Sequence, residues 1–197
     1  MGVDFAETAI ETARQLATEA GLADRAEFVQ SDLYDLPHVL DGQFDVVFTS
    51  YGVLCWLPDI EGWAEVVEQF VTPGGTFYVA EHHPFTNALH ESSTPDEMRF
   101  AYPYFGGEMT FSEDGSYADP DAELGDGRTH ERFHSMDDIV TAIASTDLET
   151  EFLHEHPYTE FRALDAMETD EDGRFWLPGL EHDLPFLFSI RATMPEA

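Results

Sequence analysis

Two nearly continuous apolar runs, residues 44–50 (FDVVFTS) and 76–81 (TFYVAE), flank a stripe at helical spacing, Ile60, Trp63, Val66, Val67 and Phe70. A short run without polar alternation is the signature of a strand covered on both faces, and the stripe gives a helix one apolar side. Strand, helix and strand in that order require a right-handed crossover and parallel pairing, which commits the chain to an α/β architecture. Asp59 follows Pro58 and is placed to cap the helix; Pro73-Gly74-Gly75 is expected to turn the chain into the second strand.

The alternation extends upstream. Val3 and Asp4 read as the end of a strand whose beginning precedes the chain. Residues 7–20 carry Ala9, Ile10, Ala13, Leu16, Ala17 and Ala20 on one helical face, closed by Gly21, and residues 26–31 (AEFVQS) form a short strand. Downstream, the pattern breaks from His82 to about Arg132, in a stretch rich in Pro, Gly, Tyr and acids that includes YPYFGGE at 102–108. Two or three short strands are expected there, as in a lid, and residues 84–132 are read as an inserted substrate region. Ser135-x-x-Asp138 then opens a helix with the stripe Ile139, Ala142 and Ile143. Residues 148–156 and 184–193 read as two final strands around a turn at 170–173, expected as an antiparallel hairpin at the sheet edge. The whole chain, 1–197, is read as one doubly wound, mostly parallel α/β domain with antiparallel last strands.

Charge narrows the functions open to such a domain. The chain has 41 acidic residues against 8 basic ones, all arginine, and a net charge of −33. The acids are spread along the chain, which predicts a surface adapted to concentrated salt, where screening removes self-repulsion. Nucleic-acid binding lacks its basic footprint. Without lysine, a P-loop, a Schiff-base enzyme or a lysine-dependent dehydrogenase has no central residue. No apolar run approaches a membrane span, the first residues carry no secretory pattern, and one cysteine, Cys55, excludes an internal disulfide. A cytoplasmic protein without membrane or nucleic-acid partners is expected.

In a doubly wound sheet, ligands lie beyond the carboxyl ends of the strands. Asp4 at one strand end is suited to ribose hydroxyls, with Phe5 beside it as a wall for adenine. Asp32 at the next is suited to the adenine amine, with the Leu33 amide near a ring nitrogen. At these positions GVDFAETAIETAR, EFVQSDLYDLP, FDVVFTSYGVLCWLPD and PGGTFYVAE, over residues 2–83, resemble class I S-adenosylmethionine-dependent methyltransferases of the small-molecule type. The resemblance implies a Rossmann-like methyltransferase sheet, S-adenosyl-L-methionine as cofactor, and a small-molecule acceptor. It assigns ribose to Asp4, adenine to Phe5, Asp32 and Leu33, and the methionine or acceptor side to Ser50 and Tyr51. Read without it, Asp4 and Asp32 are solvated or helix-capping acids. The family's first strand and glycine-rich loop are not found, so the chain is expected to be an N-terminal truncation that exposes a sheet edge through which copies associate.

For catalysis, His82 at a strand end is the first candidate general base, ahead of His83, His134, His154 and His156. Trp56, Tyr102 and Tyr104, with Phe105, are read as an aromatic cage for the acceptor or as lid core. A metal reading through His154-x-His156 with Glu81 or His82 matches no known spacing, and no metal is expected. Two alternatives remain: a non-catalytic remnant serving binding or oligomerisation, and an NAD-dependent dehydrogenase sharing the ribose-binding acid.

Overall fold

The computed structural model describes residues 1–112 and 128–196. In chain order the elements are β1 (Gly2–Asp4), α1 (Glu7–Glu19), β2 (Phe28–Gln30), α2 (Leu36–Val39), β3 (Phe44–Thr49), α3 (Ile60–Phe70), β4 (Val71–His82) and α4 (Pro84–Asn87). There follow β5 (Glu108–Ser112), β6 (Arg128–Arg132), α5 (Met136–Ala144), β7 (Glu149–His156), β8 (Glu168–Thr169), β9 (Phe175–Trp176) and β10 (Leu187–Thr193).

The helices form where spacing and caps require them. Asp59 accepts the Gly62 N–H at 2.9 Å, and all five stripe residues of α3 are buried. Ser135 and Asp138 make a reciprocal capping box on α5, whose Ile139, Ala142 and Ile143 face inward. That hydrogen bonding holds the Asp138 carboxyl below the usual carboxylate range. Helix α1 ends on Gly21 at φ 69, with the Leu22 N–H on the Ala17 carbonyl and the Gly21 N–H on Thr18, a Schellman arrangement. On α1 only Ile10 and Ala17 are buried, and Leu16 is exposed although its spacing placed it on the apolar stripe.

The main sheet has the order β3-β4-β10-β7, with β3 and β4 parallel and β10 antiparallel to both its neighbours. The last two strands are antiparallel as expected. They pair with each other at the edge of the sheet, with β10 against β4 and β7 outermost. Helices α3 and α5 cover one face, where Trp63, Phe77, Val79, Ile139, Ile143, Phe188 and Ile190 form the core. Pro73-Gly74-Gly75 is not a turn before the strand but an irregularity inside β4: Gly74 takes φ 75, and the register with β3 shifts between Phe44 and Val46.

The single sheet read from the sequence is divided. Strands β1 and β2 pair in parallel with each other as a separate two-stranded sheet packed on α1. Strand β3, read as buried on both faces, lies at the edge of the main sheet with Val46 63% and Phe48 54% exposed. Its outer face continues as an aromatic row, Phe48 to Tyr78 at 6.0 Å and Tyr78 to Phe152 at 6.4 Å. The inserted region contains the antiparallel pair β5–β6 and short bridges Leu89↔Phe100 and Thr94↔Glu97. Residues 113–127 of that region lie outside the described residues.

Candidate functional site

Asp4 is the last residue of β1 and Asp32 lies two residues beyond its partner strand β2, and the Ser31 N–H binds the Asp4 carbonyl at 3.0 Å. Each acid braces its own turn through one oxygen: Asp4 accepts from the Ala6 N–H and Asp32 from the Tyr34 N–H, both at 2.8 Å. Both residues are exposed, so capping does not bury either carboxylate. Phe5 is 76% exposed, a large ring that most of the described residues leave uncovered. Leu33 is half-buried and packs against the core beside α3.

Tyr34 joins this end to the main sheet. Its hydroxyl donates to the Asp59 carbonyl at 2.9 Å and accepts the Asp59 N–H at 3.1 Å. Burial raises its pKa, so it stays a neutral donor. Tyr34 lies just beyond β2 and Asp59 beyond β3, so the carboxyl ends of both parallel pairs are tied together on one side of the molecule.

The loop after β3 is held by Glu81, a carboxylate only 4% exposed. It accepts the backbone N–H groups of Gly52 at 2.6 Å, Val53 at 2.8 Å and Leu54 at 3.1 Å, and that of His82 at 2.8 Å. Four donors satisfy a buried charge that would otherwise be costly. Gly52 has φ 74, which a side chain would strain, and this turn aims its N–H at the carboxylate. Ser50 and Tyr51, both exposed, are thereby presented at the mouth of a pinned loop.

His82 sits beside this loop. Its Nε2 lies 2.6 Å from Glu160 Oε1, and its Nδ1 lies 3.7 Å from Glu81 Oε1. Phe161 packs 4.4 Å from the imidazole centroid and Tyr51 stacks at 6.5 Å. Alternate residues Tyr78, Ala80 and His82 share the sheet face away from the core. A cavity of about 300 Å³ opens on that face, lined among others by Tyr51, Tyr78, Tyr158, Glu160 and Arg174. Burial, with Glu160 second, raises the Tyr51 pKa; burial, with His154 second, lowers that of His156 at the cavity wall. Both are therefore neutral near pH 7.

The other sequence candidates are dispersed. His83 is buried: its Nδ1 accepts the Phe85 N–H at 3.1 Å and its Nε2 donates to Glu155 at 2.9 Å. His134 donates to the Leu57 carbonyl at 2.8 Å, and His154 stacks on Phe152 at 4.1 Å. Trp56, Tyr102 and Tyr104 do not form a cage. Tyr102 is sandwiched with His90 and Phe133 at 6.4 and 6.3 Å, Tyr104 meets Phe105 at 4.8 Å, and Trp56 lies in a 3-10 turn packed on β6. Tyr102 and Tyr104 thus meet rings of the inserted region, and Trp56 lies apart from them. Among the described residues no group of three or more His, Cys, Asp or Glu side chains is arranged to hold a metal ion. Burial pushes the Cys55 thiol up to about 12, which leaves it without thiolate character. Sequence reasoning missed Glu160, Tyr158, Arg174 and the clamping role of Glu81; only Glu81, an acid ending an apolar strand, left a signal.

Residues 1–79 match the family model described as a methyltransferase domain. No curated protein matches the chain. Among solved structures, it is similar to a S-adenosylmethionine-dependent methyltransferase from Mesorhizobium loti, with TM-score 0.63 and 20% identity over 98% of this chain and 78% of the other. It is similar to a SAM-dependent methyltransferase from Methanosarcina mazei, with TM-score 0.60 and 17% identity over 100% and 82% of the two chains. It also resembles the glycopeptide N-methyltransferase MtfA, solved with S-adenosyl-L-methionine, with TM-score 0.57 and 18% identity over 98% and 71%. The fold is thus the Rossmann-like α/β fold of these methyltransferases, with its mixed sheet.

Proposed function

We propose that this protein is an enzyme that transfers a methyl group from S-adenosyl-L-methionine to a small-molecule acceptor. The observation that carries the reading is the pair of exposed acids, Asp4 and Asp32, ending adjacent parallel strands on the side where Glu81 pins the loop bearing Ser50 and Tyr51. The methyltransferase family match over residues 1–79 supports it.

The residues present fit the cofactor's chemistry. Asp4 supplies carboxylate oxygens for ribose hydroxyls, Phe5 an uncovered ring for adenine, Asp32 an acceptor for the adenine amine, and the Leu33 amide a donor. Ser50 and Tyr51 line the methionine or acceptor side. When bound, S-adenosyl-L-methionine would supply an electrophilic methyl group on a sulfonium, with a neutral thioether as the leaving group. The protein's part is to position the acceptor and take up a proton. His82, hydrogen-bonded to Glu160 beside the cavity, serves as the proton acceptor. Of the inserted region 84–132, the described residues 84–112 and 128–132 are assigned to the acceptor side as a lid.

The remaining surroundings follow from charge. Acids along the whole chain suit a protein working in a salt-rich cytoplasm, and among the described residues no helix is long and apolar enough to cross a membrane. The edge position of β3, with Val46 and Phe48 exposed on its outer face, supports self-association through this strand. The test of the reading is calorimetric titration of S-adenosylhomocysteine into the folded chain in molar KCl. Micromolar binding that Asp4→Ala abolishes is expected. A folded chain that ignores this ligand, or prefers NADH, overturns the assignment.

A further inference from the structure

The cavity beside His82 has a composition that selects its occupant. Its floor is the outer sheet face, with Tyr78 and Ala80 from β4 and Ser189 from β10. Its walls come from three separate segments: Tyr51 after β3, Tyr158 and Glu160 after β7, and Arg174 before β9. The Arg174 guanidinium lies over the Tyr158 ring, 4.9 Å from its centroid, and His156 lies 5.3 Å from the same ring, so one side of this ring already stacks against a cation. Asp172 lies 3.4 Å from Arg174 and offsets its charge. The phenol of Tyr51 and the imidazole of His156 are neutral, as shown above. Glu160 is then the charge left to match; one of its oxygens takes the 2.6 Å hydrogen bond with His82 and the other accepts from the Thr159 hydroxyl at 3.3 Å.

Resting on the methyl-transfer reading, we propose that this cavity is the acceptor site and that the acceptor is an amine, held as an ammonium by Tyr51, Tyr158 and Glu160. Aromatic faces and one carboxylate favour a cation over an isosteric alcohol or acid. An ammonium has no lone pair, so it first releases one proton to the Glu160–His82 pair. The freed nitrogen pair forms the N–C bond to the methyl carbon as the C–S pair stays on sulfur, which leaves a neutral thioether. The nitrogen, again with four substituents, carries the positive charge. The first proton leaves to water through Glu160, whose side chain is 38% exposed.

The probes are 2-phenylethylammonium, 2-phenylethanol and 3-phenylpropionate, titrated into the full chain in one salt buffer with S-adenosylhomocysteine present. The ammonium is expected to bind about tenfold more tightly than the alcohol, the scale of a part-desolvated cation–π contact. Glu160→Gln, which keeps a hydrogen-bond partner for His82, is expected to remove that preference while leaving S-adenosylhomocysteine affinity unchanged. Equal binding of the three probes, or a preference that survives Glu160→Gln and Tyr158→Leu, overturns the amine assignment. Absence of S-adenosylhomocysteine binding in the same samples overturns the methyl-transfer reading itself, so the two failures are distinct.

Discussion

One oxygen of the Glu81 carboxylate lies 2.6 Å from the amide nitrogen of Gly52, across the gap between two parallel strands. The other oxygen serves Val53 and Leu54, so one side chain fixes three consecutive amides. Glu81→Gln turns an acceptor into a donor that faces an N–H. A loss of about 1–3 kcal/mol in chemical denaturation is expected, with faster hydrogen exchange at residues 52–54. Unchanged exchange there would show that the loop is held by other means.

Tyr34 links the two parallel pairs through both polar groups of Asp59. Tyr34→Phe removes these hydrogen bonds without altering shape, at an expected cost of about 1–2 kcal/mol. Because Asp32 is braced two residues away, S-adenosylhomocysteine affinity should fall severalfold in the same variant. Calorimetry on wild type and variant decides it, and equal affinities would separate Asp32 from this tie.

Burial holds the His83 pKa below the usual histidine value, against the opposing pull of Glu155. A depressed folded value means that its stabilisation is complete above the unfolded value of about 6.5. The stabilisation is then lost as pH falls from there through the lower folded value. His156 is lowered too and contributes in the same direction. His83→Asn keeps an acceptor for the Phe85 N–H and removes one titration. Urea midpoints between pH 7 and pH 5 should therefore decline less steeply in the variant; identical slopes would refute a neutral buried His83.

Trp63 is 1% exposed, meets Phe77 edge-on at 5.7 Å, and reaches Thr49 through its indole N–H at 3.4 Å. Trp63→Ala should cost about 3–5 kcal/mol, the range for a large buried aromatic, and unfolding at raised KCl measures it. A loss below about 1 kcal/mol would contradict the packing described.

With a net charge of −33, screening is part of stability. Raising KCl from 0.1 to 1 M shortens the Debye length from about 10 to 3 Å, and the melting temperature should rise throughout that range. A flat or falling Tm would exclude a salt-adapted surface.

The elements most legible in the sequence were those whose spacing and cap agree. Asp59 with the α3 stripe and Ser135 with the α5 stripe each carry a start signal and a buried face. Where tertiary context decides, the pattern misled. Phe44–Thr49 reads as a strand covered on both sides, yet Val46 and Phe48 lie on an open sheet face, because periodicity does not say whether another layer covers it. The acids after β1 and β2 were legible as strand ends. Glu160 was not: its partner His82 is 78 residues earlier, and no local pattern marks a contact made through the stacking order of strands. Which rings Tyr102 and Tyr104 meet was not legible either, because aromatic density carries no information about which rings pack together.

Strand β10 lies between β4 and β7, although both precede it in the chain. During synthesis β7 therefore leaves the ribosome with no neighbour to pair with, and its edge toward β4 stays open until residues 187–193 emerge. A nascent chain stalled before that point holds β3 and β4 as a two-stranded ribbon under α3, with β7 detached. Closure of the sheet waits on contacts far apart in sequence, the slow kind in folding. Codon or chaperone effects on yield should therefore concentrate on this last stretch rather than on the site that it completes.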